Sequence, residues 1–326
     1  MASRVYGLYG WRVSSAVPLG PVALADGPGE VDLRWSMPRT GGVPTVAPRG
    51  TVLAEFPRGE AGWKMYWLSR GDRGFVLRMP GYAELRASPD LRGLSCRRSP
   101  GVPVAQVRDF FCGNAMSLLL SLAGAAVFHA SAVAFCPPGR PGGTEKAVAV
   151  FGGRGAGKST LAALLTAAGG RFLTDDVLRV GTEGGVSSVV GGCSELRLRQ
   201  DAAGLAELFP EAAARATPDA RLALALGDGA ISGVALGLLV FPRLAEGPGE
   251  VSMRGMGQLE AALSLAGAPR MTGWSDRQVL EAQFGCAAHL ASSVPAVRVE
   301  LPPHHGRAAA LGKELAGCLG AVLWGS

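Results

Sequence analysis

The sequence predicts an α/β domain built round a glycine-rich phosphate-binding loop over residues 105–326, preceded by a small β-rich unit over 1–104. Three observations point there. Gly152 to Ser159 fits the spacing G-x-x-x-x-G-K-[ST] and lies between an apolar strand and a helix. Strand and helix patterns alternate beyond residue 105. Before it, short β patterns are separated by Gly, Pro, Asp and Arg-Gly turns.

The elements follow in order. Residues 1–50 are rich in Gly and Pro, with short apolar pieces at Val22–Leu24 and Val31–Trp35. Val52–Phe56, Lys64–Ser69, Phe75–Met79, Ala83–Ala87 and Gly93–Arg98 read as strands. Pro103 opens a helix over Val104–Leu122, a position Pro tolerates because its missing N–H would have no partner there. Ala115–Phe135 runs 21 residues without a charge, long enough to span a bilayer. Its character changes near Gly124 from Leu/Ala-rich to β-branched and aromatic, so it reads as a buried helix end, a turn and a strand, Val127–Phe135. Cys136–Thr144 is a loop. Lys146–Phe151 (KAVAVF) is a strand apolar on both faces. The glycine-rich loop, a helix over Lys158–Ala168 and a strand Arg171–Thr174 follow, and Asp175-Asp176 ends that strand. Leu222–Leu226, Val234–Phe241, Val251–Met256 and Ala296–Leu301 are further strands. Gly257–Ala266, Asp276–Ala291 and Gly306–Leu319 are helices.

Composition narrows the classes. Of 326 residues 48% are hydrophobic and 18% charged, which excludes a disordered chain. Only four of the 32 basic residues are Lys (Lys64, Lys146, Lys158, Lys313), which singles out Lys158 within the motif. The net charge of +6 belongs wholly to residues 1–105, a candidate surface for an acidic partner against the plainer reading of scattered surface Arg. No basic run is interleaved with aromatics, so no nucleic-acid partner is expected. Six cysteines without a CxxC pair, and four histidines out of metal-ligand register with them, read as reduced thiols in a cytoplasmic protein. The first residues carry no apolar signal core.

The chemistry sits in the loop. Gly152, Gly153, Arg154, Gly155, Ala156 and Gly157 let the backbone turn its N–H groups toward phosphate oxygens, and the helix that follows presents its positive end to the same anion. Lys158 would reach the β- and γ-phosphates, Thr160 extends the cradle, and the Ser159 hydroxyl would ligate Mg²⁺. One carboxylate of Asp175-Asp176 can hold Mg²⁺ and the other can take a proton from an attacking hydroxyl. His129 lies in the buried strand FHASAVAF, where a satisfied core residue is the commoner outcome. Arg197 is a candidate phosphate-facing cation against a solvated strand Arg, and Glu195 is similarly open.

The order His-Ala-Ser-Ala-Val, strand, GGRGAGKST, helix of about eleven residues, RFLTDD resembles the catalytic domain of the HPr kinase/phosphorylase family. The resemblance is specific over 127–178 and loose to about 302. The runs ALGLLVF, VSMRGMGQLEAALSLAG and QFGCAAHLASSVPAVRVEL resemble a divergent branch of HPr-kinase-like proteins found with ribosomally made peptides, some similar to lasso-peptide precursor kinases. It implies a P-loop kinase fold behind a β-rich N-terminal domain, ATP with GTP left open, and Mg²⁺. It also implies a Ser/Thr hydroxyl on a peptide or small protein as acceptor. By that resemblance Lys158 and Ser159 bind ATP and Mg²⁺, Asp175 is the general base, Asp176 a magnesium ligand and His129 a phosphate-side contact, with the two Asp roles exchangeable. The Glu-Ile-Arg-Gly segment of true HPr kinases is not identified; Ile231–Leu239 occupies a comparable place without the Glu and Arg. That removes the ground for expecting the reverse phosphorylase reaction or HPr as acceptor. A small-molecule hydroxyl as acceptor, and a nucleotide-binding regulator without transfer activity, stand as alternatives. No membrane partner is expected, and a homo-oligomer is left open.

Overall fold

The computed structural model describes every residue except 1–2, 21, 59–62, 140–141, 218–219, 228–232, 246, 248, 304–305 and 326. Part of the predicted loop (Arg140, Pro141) and Ile231 therefore lie outside the described residues.

The N-terminal strands are β1 (Arg4–Leu8), β2 (Trp11–Ser15), β3 (Leu33–Trp35), β4 (Arg39–Thr40), β5 (Thr51–Arg58), β6 (Trp63–Gly71), β7 (Gly74–Met79), β8 (Ala83–Ala87) and β9 (Gly93–Arg98). They form one sheet in the order β1-β2-β3-β9-β8-β7-β6-β5, with β4 beside β9. The five strands expected over 52–98 are present, and β1, β2, β3 and β4 are additional. The alternation that forms them is plain in β9, where Leu94 and Cys96 are buried while Ser95 and Arg97 are exposed. The predicted helix is α1 (Val104–Phe110), a π-helical turn Phe111–Ala115 and α2 (Met116–Leu122). It buries Val107, Phe111, Cys112, Met116, Leu118 and Leu120 in the same core as Leu33, Trp35, Leu68 and Leu85 of the sheet. Trp35 and Phe111 stack with ring centroids 4.1 Å apart. Burying several such side chains is the main force holding this helix to the sheet, at about 1.5–3 kcal/mol each before entropy.

The uncharged stretch after Ala115 is helix, turn and strand, and among the described residues no helix is long and apolar enough to cross a membrane. The expected strand Val127–Phe135 is two strands, β10 (Ala126–Phe128) and β11 (Ala130–Phe135). His129 falls between them because the chain changes partner there. β10 pairs β14 (Leu178–Glu183), whereas β11 pairs β12 (Lys146–Phe151) and β13 (Arg171–Thr174).

The second sheet continues through β15 (Val186–Val190) and β19 (Val234–Leu244), in the order β10-β14-β15-β19-β12-β11-β13, with β21 (Ala296–Leu301) beside β19 and β20 (Ser252–Gly255) beside β21. β12, β19 and β21 run parallel. Both faces are covered, which is why β12 is apolar after Lys146. Ala147, Ala149 and Phe151 share a core with Ala261 and Leu265 of α4 (Gln258–Ala266) and Ala287 and Leu290 of α5 (Arg277–Ser293). Val148 and Val150 pack with Leu161, Leu164 and Leu165 of α3 (Lys158–Ala167) and Leu311, Leu315 and Leu319 of α6 (Ala308–Trp324). A small sheet, β16-β18-β17, from β16 (Glu195–Leu198), β17 (Ala214–Ala216) and β18 (Leu222–Ala225), stands beside α3, with a 3₁₀ segment Gln200–Leu208 between its strands.

Candidate active site

The glycine-rich loop joins β12 to α3. Gly155 and Gly157 take φ of +85° and +93°, values an L side chain adopts only at a cost. At Gly157 a Cβ would also press on Leu244 Cδ2 at 3.0 Å. Gly157 is the N-cap of α3 and no side chain caps the helix, so the N–H groups of its first turn are left for an external acceptor. Lys158 is 7% exposed, and its Nζ donates to the carbonyls of Gly152 (2.8 Å) and Gly153 (2.9 Å) across the loop. Ala156 N–H donates to Gly153 O at 3.3 Å, closing the turn. Burial lowers the Lys158 ammonium pKa from its usual value, against the pull of Asp175 and Asp176.

A cleft of about 80 Å³ opens over this loop. His129, Arg154, Gly155, Gly157, Lys158, Ser159, Thr160, Asp175 and Asp176, all singled out in the sequence, line it. Gly152, Gly153 and Ala156 shape the loop behind it.

The two adjacent carboxylates diverge. Asp176 sits at φ +71°, a left-handed conformation that Asp tolerates better than most residues, and the chain turns there with Val177 N–H on Asp175 O at 2.9 Å. Asp175 is 6% exposed and points at the loop. Its carboxylate accepts from Ser159 Oγ (3.2 and 3.1 Å), Ser131 Oγ (2.6 Å) and the Arg197 N–H (3.0 Å). Asp176 points the other way. His129 Nδ1 lies 3.0 Å from one carboxylate oxygen, and Arg270 Nη2 donates to the other at 2.9 Å. Burial would push the Asp176 carboxyl up, but the Arg270 charge and the His129 hydrogen bond prevail and hold it well below the usual carboxylate range.

Ser131, Arg270, Arg199 and Arg221 carry the site without having been singled out. Ser131 lies two residues from His129 in a strand-like stretch, a spacing that could have found it. Arg270 is 94 residues from Asp176 and leaves no local signal. It reaches the site because its segment is tied down. Its N–H donates to Val127 O (3.0 Å) and its Nη2 also to Asn114 Oδ1 (2.9 Å) in the π-helical turn. Beyond it, Thr272 O accepts from Tyr66 Oη (2.5 Å) and Ser275 N–H donates to Leu53 O (2.8 Å) on β5, the edge of the N-terminal sheet.

Arg197 is neither a phosphate-facing cation nor the solvated strand Arg that the sequence favoured. Its backbone serves Asp175, but its side chain is 3.6 Å from Glu195 and lines a small cavity behind the Asp pair with Tyr9, Cys112 and Cys193. Glu195 is structural: 4% exposed, it takes two hydrogen bonds of 2.7 Å from Arg215, which also bonds Asp109 of α1 at 2.9 Å. Several of the N-terminal arginines are engaged within the fold. Arg78 and Arg86 pair with Glu84, Arg92 with Glu30, and Arg12 and Arg98 donate to backbone carbonyls. The cysteines are free thiols, and burial pushes those of Cys96 (to about 12), Cys193 and Cys286 (to about 11) up, away from nucleophile chemistry.

The residues fit a bound nucleoside triphosphate and magnesium. The cradle holds a buried Lys, an uncapped helix start, and a Ser hydroxyl against a carboxylate, which together are phosphate donors and hard oxygen ligands. Among the described residues no group of three or more His, Cys, Asp and Glu is placed to hold a metal ion by itself.

No family model and no curated protein matches the chain. Among solved structures, the Hpr(Ser) kinase/phosphatase from Coxiella burnetii is similar with a TM-score of 0.28 and 13% identity, over 60% of this chain and 87% of that one.

Proposed function

We propose that the chain is an ATP-dependent phosphotransferase of the HPr-kinase-like type that phosphorylates a Ser or Thr hydroxyl on a peptide, a ribosomally made precursor peptide being the finer form of that reading. The observation that carries it is the divergence of Asp175 and Asp176 beside Lys158. One carboxylate faces the loop hydroxyl and the other is held ionised at the cleft by His129 and Arg270.

Lys158 and the first turn of α3 would hold the β- and γ-phosphates, and Ser159 with Asp175 would hold Mg²⁺. A magnesium ion there supplies neutralisation of phosphate charge. Asp175 accepts from the Ser159 and Ser131 hydroxyls and the Arg197 N–H, which fixes it as a well-oriented ligand. Asp176 is the base in this reading. Held ionised, it is a weak base that takes the acceptor proton late in the transfer, and its role comes from the position that His129 and Arg270 give the carboxylate. This exchanges the two Asp roles set out from the resemblance. Catalysis is mostly positioning and electrostatics, as phosphoryl transfer requires.

The test is a mass-spectrometric phosphotransfer assay with Mg-ATP and a panel of Ser-containing peptides. One phosphate mass gained on a peptide, lost in Lys158→Ala and Asp176→Asn, is the expected result. No gain on any peptide, with ATP still bound, would overturn the peptide-kinase reading.

A further inference from the structure

Helices α4 and α5 carry an apolar face that the fold leaves open. The inner side of α4 is Ala261 and Leu265, which share a buried core with Ala287 and Leu290 of α5. Its outer side is apolar as well. Leu259, Leu263 and Ala266 fall at i, i+4 and i+7 and form one exposed stripe. On α5, Leu280 and Phe284 lie one turn apart and are exposed too. Ala266 joins the two pairs. With Phe128, Pro269, Leu280, Gln283 and Phe284 it lines a groove of about 260 Å³ between β10 and the two helices. A helix apolar on both sides is ordinarily buried on both.

Area, charge and one orphaned donor decide what covers this face. Leu259, Leu263, Leu280 and Phe284 are between 46% and 74% exposed. Together they present about 450 Å² of apolar surface, the size at which a patch on a monomer is commonly functional. A small molecule filling the groove would leave Leu259 and Leu263 in water, since neither lines it. A two-fold contact buries the whole patch on both copies. That is about 900 Å² before the groove wall and rim are added, against the about 1,000 Å² a specific interface clears.

Glu260, Arg277 and Glu281 are the only Asp, Glu, Lys or Arg residues on the two helices, and each is ion-paired within the chain. Glu260 holds Arg254 and Arg298, and Arg277 holds Glu281. The face therefore shows no single-sign field to an acidic or basic partner, and two copies meet across it without opposing like charges. A helix that lies on a membrane carries Lys or Arg beside its apolar side, and α4 has neither. Gln283 Nε2, in the groove wall, is buried without a hydrogen-bond partner among the described residues. An amide donor left so costs about 1–3 kcal/mol, so the occupant should bring an oxygen acceptor. A second copy brings one in the same amide, which carries both a donor and an acceptor.

We propose that the outer face of α4 and α5 is a two-fold interface and that its occupant is a second copy of this chain, with Leu259, Leu263, Leu280 and Phe284 at its centre. The inference goes beyond the phosphotransferase reading and does not depend on it.

The experiment is sedimentation velocity on the full chain from about 0.5 to about 50 μM, with thermal unfolding followed over the same range. The mass should rise to twice that of the chain. The unfolding midpoint should rise with concentration, as it does when association stabilises the folded state. Leu263→Glu/Phe284→Glu should weaken association at least about a hundredfold, because each change puts a charge into apolar contact. Both side chains are exposed in the single chain, so this variant should keep the wild-type circular dichroism and show a midpoint independent of concentration. Val186→Glu, at an equally exposed apolar position on β15, should dimerise as the wild type does. A wild-type monomer throughout the range would overturn the proposal. A dimer that persists in the double variant, or is lost equally in Val186→Glu, would take the contact off this face and overturn it too. A wild-type monomer that binds phosphatidylcholine vesicles, with binding lost in the double variant, would overturn it in favour of a lipid surface.

Discussion

Arg270 donates to the Asp176 carboxylate over 2.9 Å from a segment whose next residues are bonded to the edge strand of the N-terminal sheet. The N-terminal unit thereby helps set the position of a charge in the cleft, through a chain of named bonds. Arg270 touches Asp176 and Asn114, which makes it a positioning residue.

Arg270→Gln should therefore act through Asp176. Removing the guanidinium charge raises the Asp176 pKa, so the acidic limb of the pH–rate profile moves toward neutral pH, with kcat/KM down about 10²-fold at low pH. The depressed carboxyl contributes stability that is present above the unfolded carboxylate pKa of about 4 and is lost as pH falls through the folded value. The stability gap between wild type and variant should accordingly be narrower at about pH 3 than at about pH 7. An unchanged pH–rate profile would refute the positioning role.

The two aspartates should separate by their kinetics. Asp175→Asn should raise the Mg²⁺ concentration needed for half-maximal rate, because Asp175 faces Ser159. Asp176→Asn should leave Mg-ATP affinity nearly intact and lower kcat by about 10²–10⁴-fold, the usual contribution of a positioned base. Opposite results would restore the roles as first set out.

Lys158→Ala should weaken nucleotide binding by about 2 kcal/mol, roughly thirtyfold, the scale of a hydrogen bond to a charged group. Isothermal titration with Mg-ATP measures it, with thermal unfolding as the check that the loop still folds without the Nζ bonds to Gly152 and Gly153.

The fit of the first hairpin against the second unit is testable through stability. Tyr9, at the β1–β2 turn, is 1% exposed, and a Cβ on Gly192 would lie 1.8 Å from its Cε1. Gly192→Ala should cost about 1–3 kcal/mol by overpacking and Tyr9→Ala about 3–5 kcal/mol by leaving a cavity. The double variant should cost clearly less than the sum, since each change relieves the other. Additive denaturation midpoints would show that the two residues do not share a packing site.

Local chemistry was legible before any fold was in view. The strand, glycine-rich loop and helix around Lys158 depend on neighbours a few residues apart, and so do the apolar run of β12 and the turn at Asp175-Asp176. The β meander over 51–98 was legible for the same reason. The hairpin of β14 and β15 was not, because its Gly184-Gly185 turn is flanked by mixed rather than alternating residues. Nor was the break at His129, where the strand changes partner between two distant segments.

From its sequence alone this protein was bound to place a Lys, a Ser and two carboxylates at the end of a buried strand, because backbone turns and helix starts are set by adjacent residues. Which carboxylate meets which partner was decided only by the fold, through the left-handed turn at Asp176 and the arrival of Arg270 from 94 residues away. Long-range pairing answers to packing of the whole core, and no window of sequence contains it.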